Sequence, residues 1–445
     1  MSRALLDDGA PRAGRLVQTF AIVCLPFGAG YFLSYFFRSV NAVISGPLSD
    51  EFGLSASDLG LLTSVYFFGF AAFQLPLGLL LDRFGPRWVQ AHLLRVAALG
   101  AVIFSLGTGI GMLMLGRTLI GVGVAGGLMA SFKVITLWFP QRLWPRVNGI
   151  FMAIGGLGVV ASTTPVQVAL EVAGWRPIFL LLALATTLVS IAIIYVVPSH
   201  PSEWVAPRGH GAAGGGLREQ IAGLGDVFRD RLFWRLAPVT CISEGAGLAI
   251  QGLWAGPWLR DVAGLPAPEV AHQLFVMSIA LTIGFLSTGP ITEMAERLGI
   301  GKVGVVGGGA IAIAAVLVLL AFEVSPRGYW VWALFGLLSN VPVVAYPALS
   351  EHFGGHFAGR SNTGLNLLLF IAAFSFQYLV GGIIDLWPET AAGRNDPAGY
   401  RAAFLLIVGL IVVSFLWYLV PHRGARDAPA EAASQRRAPG MAGSR

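Results

Sequence analysis

Apolar runs recur along almost the whole chain, most of them at or beyond the roughly 20 residues that an α-helix needs to cross about 30 Å of hydrocarbon. Short polar intervals between them predict twelve spans: 17–45, 57–81, 88–107, 111–139, 147–170 and 175–197, then 236–259, 268–293, 303–323, 329–350, 361–387 and 401–421. Backbone amides in lipid need partners within their own segment, and the short alternating segments of an outer-membrane barrel are absent. The expected fold is therefore all-α, a polytopic membrane protein whose 12 transmembrane helices form two pseudo-symmetric six-helix bundles. The bundles would occupy 17–197 and 236–421. Residues 1–16 read as a cytosolic segment, 198–235 as a cytosolic linker with a glycine- and alanine-rich stretch, and 422–445 as a cytosolic basic tail.

Composition reinforces this pattern. Of 445 residues, 56% are hydrophobic and only 12% charged, with a mean hydropathy of +0.73, where a soluble globule carries about a quarter charged residues. The first apolar run is too long for a secretory signal and lacks a cleavage region, so the first span is expected to be retained. A net charge of +6 and a pI near 9.6 do not indicate nucleic acid here, because the arginines sit in short loops between spans. With both termini cytosolic in a cytoplasmic (inner) membrane, the other side carries only Arg176, Arg260, Arg327, Arg394 and Arg401, and most other cations lie inside. Cys24 and Cys241 fall within spans and read as small packing residues rather than a disulfide or metal pair.

Two sixes of helices suggest a duplicated transporter plan with the substrate between the halves near the midplane. A faint repeat agrees. The turn after the second span runs from Gly78 through Asp82, Arg83, Gly85 and Arg87, and the turn after the eighth has Gly289, Glu293, Glu296, Arg297, Gly299 and Lys302. The first turn resembles the signature between helices 2 and 3 of the major facilitator superfamily. Further resemblance comes from Gln74 to Gly78, Arg117 with Gly121 and Gly123, Trp138-Phe139-Pro140 and Gly174-Trp175-Arg176. Together these look most like the anion:cation symporter and organophosphate antiporter branches, which move small organic anions. The resemblance implies that Gly78, Asp82, Arg83, Gly85 and Arg87 form a conformational latch. Physically, Gly78 would allow close helix approach, Gly85 a tight turn, and Asp82 bonds from a neighbouring helix N-terminus.

An ionised side chain within hydrocarbon costs roughly 2.5 kcal/mol or more, so each intramembrane charge should face a cavity, a partner or the interface. Arg38 lies two-thirds along the first span, and Tyr31, Ser34 and Asn41 share its helical stripe, which reads as a cavity wall. The related branches carry a substrate-binding arginine in this region; snorkelling to the outer interface is the competing reading. Lys133 matches a cavity-facing basic position of those branches, but equally fits snorkelling. Arg117 matches the superfamily's helix 4 arginine, which implies a structural or gating role. Arg95 with His92 reads as an interface pair, and His272 as interfacial. Glu244, with Thr240 and Gln251 on its face, is the candidate proton-coupling residue, or else the partner of a buried base.

Some family features are missing. Phe37 precedes Arg38 where the symporter branch places an acid, Val124 and Ala125 stand where it has another, and the seventh span lacks an arginine before Arg260. Asn340, Asn362, Asn366 and Gln377 could hold a solute or join helices. His352 and His356 have ligand spacing, but Gly354 and Gly355 lie between them, so no metal site is expected. No nucleotide-binding loop and no nucleophile with a base appear, so neither ATP drive, a cofactor nor enzymatic activity is expected. The leading expectation is a monomeric secondary transporter, by preference an importer, of a small organic anion such as a carboxylate or sugar acid, with protons as possible coupling ions. Substrate-binding candidates are Arg38, Tyr31, Ser34, Asn41, Lys133 and Gln251. Rival readings are efflux of hydrophobic compounds and a non-transporting receptor or assembly factor.

Overall fold

The structure is a computed structural model that describes residues 18–198, 224–391 and 393–420, apart from the side chains of 75, 145 and 355–358. The segment 1–16, most of the linker 198–235, the tail 422–445 and the side chain of His356 lie outside the described residues.

The chain is helical throughout its described spans. Helix α1, Phe20–Ser39, bends at Val40 and continues as Asn41–Phe52, ending at Gly53 with φ 62°. The acidic Ser49 to Glu51 stretch, expected in a loop, is thus a helical extension, which Gly46 and Pro47 do not interrupt before Gly53. The run Ala56–Ser105 comprises α2 and α3, divided at Gly85 (φ 76°, ψ 162°), a conformation that suits glycine, with Pro86 starting the next helix where no amide is needed. Helix α4 spans Ile110–Trp138. Helix α5 has two parts, Trp144–Ala161 and Thr164–Ala173, and α6 is Trp175–Val196.

In the second half, α7 runs as Arg231–Ala249, a π-turn Ile250–Trp254, and Ala255–Asp261. Helices α8 and α9 are Ala267–Arg297 and Lys302–Ala321. Helix α10 starts as Tyr329–Leu338, tightens to a 3-10 turn at Val341–Val344, and resumes in the run Ala345–Ile384, whose part beyond Gly354 (φ 68°) is α11. Helix α12 is Pro397–Leu419. Eleven helices among the described residues are long and apolar enough to cross a membrane; α7 completes the twelve, its apolarity diluted by Thr240, Ser243, Glu244 and Gln251.

The two bundles meet closely on one side only. Ideal Cβ atoms at Gly256 and Gly381 would lie 1.9 and 2.3 Å from the carbonyl oxygens of Ala42 and Ala56 across the seam. Such contact needs glycine and joins the extension of α1 and the start of α2 to α7 and α11. Deeper in, Gly156 of α5 packs on Thr282 of α8. Gly149 and Gly289, seven residues away on the same helix faces, have nothing within 4 Å of a built Cβ. The bundles therefore part toward the side of the Asp82–Arg87 turn. A buried apolar cluster around Phe27, Leu94, Val134 and Phe151 belongs to the first bundle alone on that side, whereas the main core runs through both bundles.

Candidate substrate cavity

Arg38 sits near the end of α1, just before its bend, where the π-turn of α7 presses against it: a Cβ on Gly252 would approach the Arg38 carbonyl to 3.4 Å. The side chain is 8% exposed; its Nε has no hydrogen-bond partner, while its guanidinium is in hydrogen-bond contact with the Tyr66 side chain. No carboxylate pairs with it among the described residues. Aromatic rings surround it instead, with the guanidinium carbon 4.7 Å from the Tyr35 centroid, 5.6 Å from Phe70 and 5.5 Å from Phe370. Phe70 of α2 and Phe370 of α11 meet across the seam with ring centroids 4.1 Å apart and planes tilted by 34°, and close the side opposite the Asp82 turn. Tyr35 is half-buried and meets Phe285 of α8 edge-on at 5.9 Å.

The rest of the predicted stripe is turned to neighbouring helices. Tyr31 bonds the Tyr35 hydroxyl at 3.2 Å and the Met152 sulfur at 3.6 Å, and Ser34 donates to the Val124 carbonyl at 3.4 Å. Asn41 donates to Thr63 Oγ1 at 2.9 Å and clamps α1 to α2. These residues hold the cavity wall, because α1 is enclosed by helices on several sides, which single-helix periodicity does not reveal. Gln251 is buried in the π-turn of α7.

Lys133 is removed from Arg38. Its ammonium pairs with Asp82 at 2.8 Å, with both side chains about two-fifths exposed, so in this conformation it joins α4 to the α2–α3 turn. Asp82 thus accepts from a lysine rather than from a helix N-terminus. Arg83 lies over Phe84, and Arg87 bonds the Ile194 carbonyl of α6. Gly85 makes the turn, and Gly78 is half-buried. The second half repeats the arrangement with the charges exchanged: Lys302, after the α8–α9 turn, pairs with Glu351 of α10 and lies 3.6 Å from Glu296. Arg117, 1% exposed, donates to the Phe37 carbonyl at 3.0 Å inside the first bundle.

Glu244 occupies a separate polar cluster in the second bundle. It is 6% exposed, its Oε1 lacks a partner, and it lies against the 3-10 turn of α10 near the Val343 backbone. Thr240 Oγ1 and Asn340 Nδ2 are buried and unpartnered as well. Tyr346, on α10 just beyond the 3-10 turn, donates to Asn366 Oδ1 of α11 at 3.0 Å. Gln377 is fully buried, and Asn362 bonds Ser350. Sequence reasoning missed Tyr35, Phe70, Phe370 and Tyr346. Of these only Tyr35 carried a local signal, its spacing of three from Arg38.

Residues 27–377 match the model of the Major Facilitator Superfamily. A probable sulfoacetate transporter of Cupriavidus necator is 25% identical over 79% of this chain and 85% of its own length. A putative tartrate transporter of Agrobacterium vitis is 24% identical over 90% of this chain and 94% of its own. Among solved structures, a bacterial homolog of the human lysosomal transporter Spinster superposes with a TM-score of 0.71 at 19% identity, covering 90% of this chain and 96% of that one.

Proposed function

This chain belongs to the Major Facilitator Superfamily, and from that premise we propose that it moves a small organic anion across the cytoplasmic membrane by alternating access. The observation that carries the reading is Arg38, a buried cation at the seam between bundles with no carboxylate partner among the described residues. An unpaired charge at this depth costs roughly 2.5 kcal/mol or more, which an anionic solute would offset each time it binds. The sulfoacetate and tartrate named for the relatives are anions of this class. The excess of Lys and Arg on the Asp82 side supports a cytosolic position for that side, the linker and both termini, with the proposed bundles 17–197 and 236–421 rocking about a cavity that opens toward it. One chain holds both walls of the cavity, and a monomer suffices.

Glu244 is the proposed proton-coupling residue, because it is a buried carboxylate beside a broken helix with a free oxygen. Uptake of radiolabelled carboxylates into proteoliposomes under an imposed pH gradient tests both parts. Arg38→Ala should abolish uptake and counterflow. Glu244→Gln should abolish the response to the gradient while sparing counterflow, and uptake in the wild type that ignores the gradient would remove the coupling role.

A further inference from the structure

Where α7 begins and α12 ends, on the side of the Asp82–Arg87 turn, the second bundle carries a cation held in a fixed orientation. Arg235, near the start of α7, donates from Nε to the Tyr418 carbonyl at 2.9 Å, and its guanidinium carbon stands 5.1 Å from the Tyr418 ring centroid. Tyr418 is anchored in turn, since its hydroxyl donates to the Val303 carbonyl of α9 at 2.8 Å. One edge of the Arg235 guanidinium is thus committed to the last turn of α12. Its two terminal nitrogens make no hydrogen bond, and no carboxylate pairs with it, among the described residues. The acids nearest in sequence are engaged elsewhere: Asp230 accepts from the Phe233 amide and faces His352 at 3.0 Å, and Asp226 lies 3.8 Å from Arg229.

Two indoles stand beside this cation in the chain. Trp234 and Trp417 are 41% and 48% exposed, yet both turn their N–H inward, Trp417 to the Trp234 carbonyl at 2.8 Å and Trp234 to the Phe228 carbonyl at 2.6 Å. What the rings present outward is therefore apolar. Tryptophan at the end of a membrane span sits at headgroup level, and an arginine there reaches the phosphates. A soluble anion would gain only the charge of Arg235, whereas a lipid gains the charge and also covers the indoles with its glycerol and first methylenes. A zwitterionic headgroup brings its own cation close to the guanidinium, which offsets part of the attraction; an anionic headgroup does not.

We infer that the junction of α7 and α12 binds an anionic phospholipid, its phosphate on the terminal nitrogens of Arg235 and its upper chains against Trp234 and Trp417. Thermal unfolding of the delipidated, detergent-purified full chain, titrated with phosphatidylglycerol, phosphatidylcholine or inorganic phosphate, tests this in wild type, Arg235→Gln, Arg235→Lys and Arg229→Gln. Phosphatidylglycerol should stabilise the wild type at a concentration about three- to tenfold lower than phosphatidylcholine, and the preference should shrink as salt is raised. Arg235→Gln should bring that ratio close to one; taking the ratio within each variant separates it from the loss of the bond to the Tyr418 carbonyl. Arg235→Lys, which replaces the anchored fork by a mobile point charge, should cut the ratio at least about twofold and decides the matter should the glutamine variant fail to fold. Arg229→Gln, at a side chain 84% exposed, should leave it unchanged. Equal effects of the two lipids on the wild type, or an unchanged ratio in the Arg235 variants, would overturn the site. So would a loss in Arg229→Gln as large as in Arg235→Gln, which marks diffuse attraction to a basic surface. If inorganic phosphate reproduces the shift at the same concentration, the site takes a free anion and the lipid assignment falls.

Discussion

Asp385, at the end of α11, accepts the backbone N–H of Ser57, at the start of α2, at 2.9 Å across the seam between the bundles. Its other oxygen accepts from the Ala56 amide at 3.0 Å, and the Ser57 hydroxyl adds a third bond. A carboxylate on the first amides of a helix satisfies orphan donors and opposes the positive end of the helix dipole. Because donor and acceptor belong to different bundles, these bonds exist only while this side is shut.

Asp385→Asn should therefore favour opening on that side. The contact is exposed, so its loss is worth about 0.5–1 kcal/mol, or roughly two- to fivefold in the ratio of closed to open states. Distance distributions between spin labels at Phe52→Cys and Leu386→Cys should lengthen in the variant; an unchanged distribution would deny the bond any part in closure.

Gly256→Ala should have a larger effect in the same direction. The new methyl would stand 1.9 Å from the Ala42 carbonyl, backbone against a built atom with no flexible group to yield. The closed seam becomes inaccessible without harm to either bundle, so transport should fall at least tenfold while far-UV circular dichroism is retained, as expected where small residues govern helix approach. Wild-type transport rates would refute the tight seam.

Lys133 and Asp82 should be coupled in stability, and Lys133 should be dispensable for ligand binding. Both are about two-fifths exposed, which limits their interaction to under about 1 kcal/mol. A double-mutant cycle of Lys133→Ala and Asp82→Ala on thermal unfolding should show a small positive coupling, and anion affinity in Lys133→Ala should stay within about twofold. A tenfold loss of affinity would return Lys133 to the binding site.

Glu51 should make stability fall in acid. Hydrogen bonds from Arg176 first, then from the Trp175 indole at 2.8 Å, hold its carboxyl below the usual carboxylate range despite the opposing effect of burial. A lowered folded-state value means that the contribution is present above the unfolded carboxylate value and lost as pH falls through the folded one. Glu51→Gln should therefore lower the melting temperature near neutral pH, by a small amount because the pair is partly exposed, and the difference from wild type should vanish in strong acid. A gap that is constant across that range would exclude ionisation as its cause.

Hydropathy along the chain is enough for twelve helices in two sets of six, because each span must satisfy its own backbone in lipid and each loop charge is read locally. The Asp82–Arg87 turn is legible for the same reason, since Gly85 and Pro86 act through their own dihedrals. Arg38 stands out for its charge alone. Periodicity could not tell which neighbours would meet its stripe, so Ser34 and Asn41 looked like cavity residues although α4 and α2 receive them. Two of the three rings around Arg38 come from α2 and α11, some 300 residues apart, and Asp385 reaches Ser57 across a comparable distance in sequence. Only the docking of one bundle on the other brings such groups together, and in an apolar chain rich in phenylalanine no single ring announces which polar group it will face.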